Sequence, residues 1–359
     1  MMIDGDRVET SGMRTVLDPG TGEVIATVPE AGIAESDAAW PPPPWPPARR
    51  SFDSGTWHGL PADRRAAVLW RMTDLIEERV DELAPRPRVF RYYAGLTHSL
   101  AGRVIELHNG HGEYHAYTLR RPAGVTALIT PWNAPLTMAS WKLAPALAAG
   151  CSCILKPADL TPLTSLLLAD IAQGRGFLTA SSTFVTGNGA VVGARLAEHP
   201  HVDRVAFTGS TSVGRSIIRA ATGNLKKVSP ELAASRQSWS PPMRTSSRPS
   251  RVAQRQSSPM PARCARPDRD SLSTSSCMTR SSRESPSGPG ACAWATSFDP
   301  ESQMGPVISD EHRTTVMGYI ESGVADGATL MAGDEPGFFV QPTVLSDARP
   351  DMRAPPQPR

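Results

Sequence analysis

Lysine is nearly missing from this chain. Only Lys142, Lys156, Lys226 and Lys227 are Lys among 37 basic residues, and the rest are Arg. Long apolar runs are missing too. Nothing approaches the roughly 18 residues that a membrane-crossing helix needs, and the start MMIDGDRVETSG has no signal-peptide pattern, so a cytoplasmic location and no membrane partner are expected. A net charge of +2 is too small to suggest a nucleic-acid binder on its own. Cysteine is sparse: Cys151, Cys153, Cys264, Cys277 and Cys292 follow neither a zinc spacing nor a disulfide framework, so no metal site is expected.

Apolar residues are scarce in one window above all. Between Ala233 and Ser297 there is one Leu, one Val, no Ile and no Phe, with ten Arg and no Lys. Such text cannot bury enough apolar surface to offset the entropy of ordering it. Read by itself it is a basic linker, yet a structureless stretch of that length inside a compact domain speaks against so simple an assignment. A nucleic-acid module over 236–283 lacks a zinc pattern, interleaved aromatics and a basic helix face. The tract WPPPPWPP at 40–47 has the composition of a polyproline II segment, a ligand type for proline-reading modules.

The rest is ordinary and regular. The 359 residues suffice for one large or two ordinary domains. Residues 13–30 read as a hairpin around PGTG. From Pro61 to Leu83 apolar residues recur at three- and four-residue steps, which predicts a helix that APRPRVF then breaks. Between 124 and 232, GVTALIT, CSCILKP, STFVTG, DRVAFTGS and LKKVSPEL read as strands. MASWKLAPALAAG, LTPLTSLLLADIA, AVVGARLAEH and SVGRSIIRAAT alternate with them. That alternation predicts βαβ units and a parallel sheet, with ligands at the carboxyl ends of its strands. Ordinary composition returns at 299–345, where a helix and then a strand near Ala328 are predicted.

Four features could carry chemistry. FTGSTSVG at 207–214 opens a helix after a strand, where Gly209 and Gly214 allow close approach and Ser210 and Thr211 offer hydroxyls to an anion. It is neither the Walker nor the three-glycine dinucleotide pattern, and a plain capped helix start reads equally well. PWNAP at 131–135 puts Asn133 where its amide could donate to an oxyanion, or simply bond its own turn. Lys156 closes a strand with Asp159 three residues on, suiting ribose hydroxyls, though a Lys at a strand end is more often solvated. Glu231 ends a strand as a general base could, or as an exposed carboxylate.

Together these blocks resemble the NAD(P)+-dependent aldehyde dehydrogenase superfamily. PWNAPLTMASWKLAPALAAG, LKPADLTPLT, VTGNGAVVG, HVDRVAFTGSTSVG and PEL carry the likeness in order. FDSGTWHGLPADRRAAVLWRMTDLIEERVDELA, FRYYAG and SFDPESQMGPVIS extend it over most of 11–232 and 297–353. The resemblance implies an α/β fold: a Rossmann-like parallel sheet for the cofactor (1–232) and an incomplete catalytic domain (233–353), followed by an aberrant tail (354–359). It implies oxidation of a small aldehyde to the acid with NAD+. Trp132, Lys156, Asp159, Gly209, Ser210, Thr211 and Gly214 would bind the cofactor, with Lys156 at the adenosine ribose. Asp159 stands where many members have the Glu associated with a preference for NAD+. Asn133 would hold the oxyanion and Glu231 would activate the deacylating water. Met138 and Trp141 would stand at the mouth of a substrate tunnel open to aliphatic and aromatic aldehydes. Members of the family homo-oligomerise through a C-terminal arm, and here the sequence leaves the pattern at DMRAPPQPR, as a truncated chain would.

The pattern breaks after Leu232. The family continues with two Gly and a Lys and reaches its nucleophile in a segment like Gly-Gln-Val-Cys, which occurs nowhere here. Cys264 follows Glu231 by 33 residues, close to the family's spacing, but in the text MPARCARPD. A shift of reading frame over 233 to about 296 accounts for both facts. Codons for AASRQSWSPPMRTSSRPS can be chosen that give Gly-Gly-Lys-Ser-Pro-Val-Val-Val-Ala-Ala-Asp-Ala-Asp-Leu in another frame. PMPARCARPDRDSL likewise gives Pro-Asn-Ala-Gly-Gln-Val-Cys-Thr-Ala-Gly-Ser-Arg-Leu. The family cysteine codon then straddles the codons of Cys264 and Ala265, so Cys264 marks the position without being the nucleophile. About 40–48 and 176–183 look frame-disturbed as well, and family sequence is missing near 84–89. The chain as written is expected to fold poorly, since Ser/Arg/Pro text replaces sheet strands and uncovers apolar edges. The alternative is an inactive, partly disordered remnant without catalysis.

Overall fold

A computed structural model describes residues 1–3, 5–33, 47–79, 83, 88–107, 114–173, 181–232, 237–240, 270–273, 305–327, 329–330, 338–340 and 345–346. The chain divides into two units: Met1–Arg14 with Thr27–Leu232, and Thr15–Ala26 with Ala233–Arg359.

In chain order the strands of the first part are β1 (Met2–Ile3), β2 (Asp6–Arg7), β3 (Gly12–Leu17) and β4 (Val24–Glu30). The helices α1 (Pro47–Asp53), α2 (Ala62–Glu78) and α3 (Val89–Leu96) follow, then a short pair, β5 (Val104–Ile105) and β6 (Ala116–Tyr117). The alternating region runs β7 (Val125–Ile129), α4 (Pro135–Ala148), β8 (Ser152–Lys156), α5 (Leu163–Gln173), β9 (Ser182–Phe184), α6 (Ala194–Glu198), β10 (Arg204–Gly209), α7 (Thr211–Ala220) and β11 (Lys227–Leu232).

The main sheet has the order β11-β10-β7-β8-β9-β1-β2. The first five are parallel, and β1 and β2 add antiparallel strands at the far edge. β7 and β8 are buried along their whole length, as strands covered on both faces must be. The chain steps from β7 through β8 to β9, then returns to the other side of β7 for β10 and β11. The order therefore reverses between β7 and β10, and that crevice at the carboxyl ends is where a doubly wound sheet takes its ligand.

Two apolar clusters cover the two faces. One joins Leu69, Met72 and Ile76 of α2 and Leu143 and Leu147 of α4 to Leu128 and Leu155. The other joins Val192, Leu196 and Ile217 to Val125, Ala127, Ile154 and Val205. Trp57 locks into the first by donating Nε1–H to the carbonyl of Leu147 at 2.9 Å. Among the described residues, every member of both clusters precedes residue 233.

The expected hairpin is β3–β4, and every strand and helix expected between 124 and 232 is present. The expected helix over 61–83 spans Ala62–Glu78. In the second unit, α8 (Asp310–Ala325) starts at Ser309, whose Oγ accepts from His312 N–H at 3.2 Å. Two short strand pairs are described there, and a hydrogen bond closes the turn of the β3–β4 hairpin. β12 (Gln237–Ser240) runs parallel to β13 (Asp270–Ser273), β14 (Thr329–Leu330) antiparallel to β15 (Leu345–Ser346), and Asp18 N–H bonds Glu23 O at 2.8 Å. The polyproline tract, residues 176–180, Cys264 and the 354–359 tail lie outside the described residues.

Candidate active site at the carboxyl ends of the sheet

The register sets the site. Ile129 of β7 pairs with Lys156 of β8 on one side and Phe207 of β10 on the other, and Thr208 pairs with Glu231 of β11. Lys156, Asn133 and Glu231 thus stand at or just beyond the same edge.

Lys156 is the last residue of β8 and is 2% exposed, which corrects the expectation of a solvated strand-end Lys. Burial lowers its pKa, opposed by Asp159, with Arg14 lowering and Glu30 raising it further. Among the described residues no acceptor lies within hydrogen-bond range of its Nζ. A buried ammonium without an acceptor is costly unless a ligand supplies one, and ribose hydroxyls are such acceptors. Asp159 is 3.9 Å from Arg14 Nη2.

Asn133 is half-buried in the link between β7 and α4, two residues before Pro135, which occupies the first turn of α4. The Trp132 carbonyl accepts from Thr161 Oγ1 at 3.3 Å, tying this link to the segment after β8. Met138 on α4 is half-buried and Trp141 is exposed.

Ser210 caps α7: its Oγ accepts from Val213 N–H at 3.4 Å, and Thr211 is the first helical residue. The two glycines turn out to have an internal reason. A Cβ on Gly209 would lie 2.5 Å from the Phe207 ring, and one on Gly214 would lie 2.5 Å from Leu232 Cδ2. At both places the nearest obstacle to a Cβ is the far end of a side chain of this same chain, so packing gives glycine a use beside the room for a phosphate that the sequence suggested.

Glu231 is held by two side chains. Its Oε2 accepts from Lys142 Nζ at 3.3 Å and from Thr208 Oγ1 at 2.5 Å. The Lys142 side chain is 5% exposed and Glu231 60%, so the cation is held inside and the carboxylate faces outward. Burial lowers the Lys142 pKa, and Glu231 partly restores it. Sequence reasoning missed Lys142. Its position 89 residues from Glu231 leaves no spacing signal, though a Lys inside the apolar helix WKLAPALAAG is itself a flag. Arg14 was missed for the same reason. Among the described residues no cluster of His, Cys, Asp and Glu suits a metal ion, and no helix is long and apolar enough to cross a membrane.

A doubly wound sheet with a buried lysine, a capped helix start and a bonded carboxylate at its carboxyl edge defines a nucleotide-dependent α/β enzyme. More narrowly, the chain belongs to the aldehyde dehydrogenase family, whose model matches residues 7–86, 86–238 and 292–357. By family it is an NAD-dependent aldehyde dehydrogenase acting on a small-molecule aldehyde. It is 32% identical to a betaine aldehyde dehydrogenase of Bacillus subtilis, over 98% of this chain and 76% of that one. A benzaldehyde dehydrogenase of Antirrhinum majus is also 32% identical, over 98% and 70%. Among solved structures, a betaine aldehyde dehydrogenase of Staphylococcus aureus in complex with NAD+ superposes with a TM-score of 0.89 at 29% identity, covering 98% of this chain and 74% of that one.

Proposed function

We propose that the gene behind this chain specifies an enzyme that oxidises an aldehyde through a cysteine thiohemiacetal and thioester, and that residues 233 to about 296 are its bases read in a displaced frame. The observation that carries this is the shape of the family match. It leaves out 239–291 and resumes on the far side, inside the window where family sequence is legible in another frame. Two parts of the match also meet at residue 86, beside the APRPRV discontinuity.

In this reading a thiolate adds to the aldehyde carbon, and the carbonyl π pair becomes an oxyanion that accepts the Asn133 amide N–H. NAD+, when bound, supplies the acceptor for the hydride that leaves this carbon, and the carbonyl re-forms as a thioester. Water then adds with Glu231 taking its proton, and the thiolate leaves as the acid is released. Lys142 and Thr208 hold Glu231 at the strand end, while Lys156 and Asp159 face the adenosine ribose. Ser210 and Thr211 stand at the helix start that an anionic pyrophosphate favours, with Gly209, Gly214 and Trp132 shaping its surroundings.

Sequencing the gene across codons 230–298, together with the intact mass of the native protein, tests the proposal. A frame change near the Leu232 codon and a mass other than 38.4 kDa are expected. A confirmed frame and that same mass favour the inactive remnant instead.

A further inference from the structure

The end of β8 gathers four charges, of which the oxidation chemistry uses none directly. Arg14 on β3 donates Nε–H and Nη2–H to Glu30 Oε1 at 3.2 and 2.6 Å. The same Nη2 stands 3.9 Å from Asp159 Oδ2, and Lys156 feels Arg14, Asp159 and Glu30 together. Two cations and two carboxylates cancel. Arg14 and Glu30 are each 28% exposed and Asp159 32%, so a ligand can reach all three. The strand end that carries Glu30 is anchored, because Thr186 Oγ1 donates to Pro29 O at 2.5 Å and Ala31 N–H to Thr186 O at 3.0 Å.

We propose that Arg14 sets the choice between NAD+ and NADP+, and that this site binds both. The inference rests on Lys156 and Asp159 facing the adenosine ribose. A carboxylate standing alone there accepts from a 2′-hydroxyl and repels a 2′-phosphate. Here the Arg14 guanidinium offsets that carboxylate and, beyond the Nε–H and Nη2–H that it gives to Glu30, keeps its Nη1 donors for a phosphate, with Lys156 as a second cation. Asp159 is also one methylene shorter than Glu, which leaves room for the larger group.

Tryptophan-fluorescence titration of the full chain with each dinucleotide provides the test. NAD+ and NADP+ are expected to bind with affinities within about tenfold of each other. Arg14→Gln is expected to weaken NADP+ by about tenfold or more, the scale of a lost charge-assisted hydrogen bond, with NAD+ little changed. Glu30→Gln shifts the cluster positive and is expected to tighten NADP+. A role confined to holding the hairpin cannot give these opposite signs. Equal weakening of both dinucleotides in Arg14→Gln, or weaker NADP+ in Glu30→Gln, overturns the proposal. So does a parent chain that binds NAD+ and not NADP+. A parent that binds neither overturns the ribose assignment as well.

Discussion

Three of the four lysines are buried: Lys142, Lys156 and Lys226 are 6%, 2% and 8% exposed. Lys is a compact charge that shifts its pKa readily when buried, and each of these three is shifted downward with burial as the leading cause. Lys142 answers a carboxylate and Lys156 is buried at the end of β8, but Lys226 has a structural task. Its Nζ donates to the carbonyls of Ala197 and His199 at 2.6 and 2.7 Å, at the end of α6, where the helix leaves acceptors unsatisfied. Its pKa falls from 10.5 to about 8. The folded pKa lies below the unfolded one, so the unfolded chain holds the proton longer between about 8 and 10.5. The penalty of the buried charge is present in full below that window and is relieved as pH rises through it. Lys226→Met is therefore expected to gain less stability than the parent from pH 8 to pH 10 in urea unfolding, from a lower starting point. Identical slopes would refute this. The burial of Lys226 was not legible in the sequence, because its acceptors lie 27 and 29 residues away and no local pattern announces them.

Secondary elements were far more legible, and the reason is physical. β7 and β8 are covered on both faces, so they read as mostly apolar runs (VTALI and SCILK) without alternation, and the helices beside them keep a helical period. The edge was not legible: β1 and β2 are two residues each and take their place only through pairing, β1 with β9 and β2 with β1. Glycines show how local text can mislead about purpose. Gly124, just ahead of β7, has φ +111°, and a Cβ there would lie 2.0 Å from Asp203 Oδ2. That carboxylate accepts from Val125 N–H at 2.7 Å and from Arg49 Nη1 at 2.9 Å, so it cannot move aside freely. At Gly214 the obstacle is the tip of Leu232, a side chain already 38% exposed. Gly124→Ala is thus expected to cost about 3 kcal/mol or more, from backbone strain and lost hydrogen bonds together. Gly214→Ala is expected to cost about 1 kcal/mol, the scale of a displaced rotamer. Denaturant midpoints of the two variants compare them directly, and equal losses would show that the Asp203 contacts do not hold β7 and its neighbour in register.

At the scale of the whole molecule, the sheet-bearing unit holds both apolar clusters and every described residue of the candidate site, while the expected nucleophile position lies past Leu232. The proposed reading therefore makes cofactor binding and chemistry separable in this chain. In the proposed reading binding uses Lys156, Asp159 and the start of α7, all on elements that pack against the described core before residue 233. Turnover needs a thiolate, and a thiolate here would have to come from Cys264, in text flanked by Arg and Pro instead of the Gly-Gln-Val that precedes the family cysteine. The chain as written is expected to bind NAD+ and to form no NADH from any aldehyde in a panel. A version with the frame restored after Leu232 is expected to form NADH, and to lose that activity when the cysteine of its Gly-Gln-Val-Cys is replaced by Ser. Cys264→Ser in the chain as written is expected to change nothing. NADH formation by the unaltered chain that disappears in Cys264→Ser would overturn the reading, since it would make the displaced text itself the source of the nucleophile.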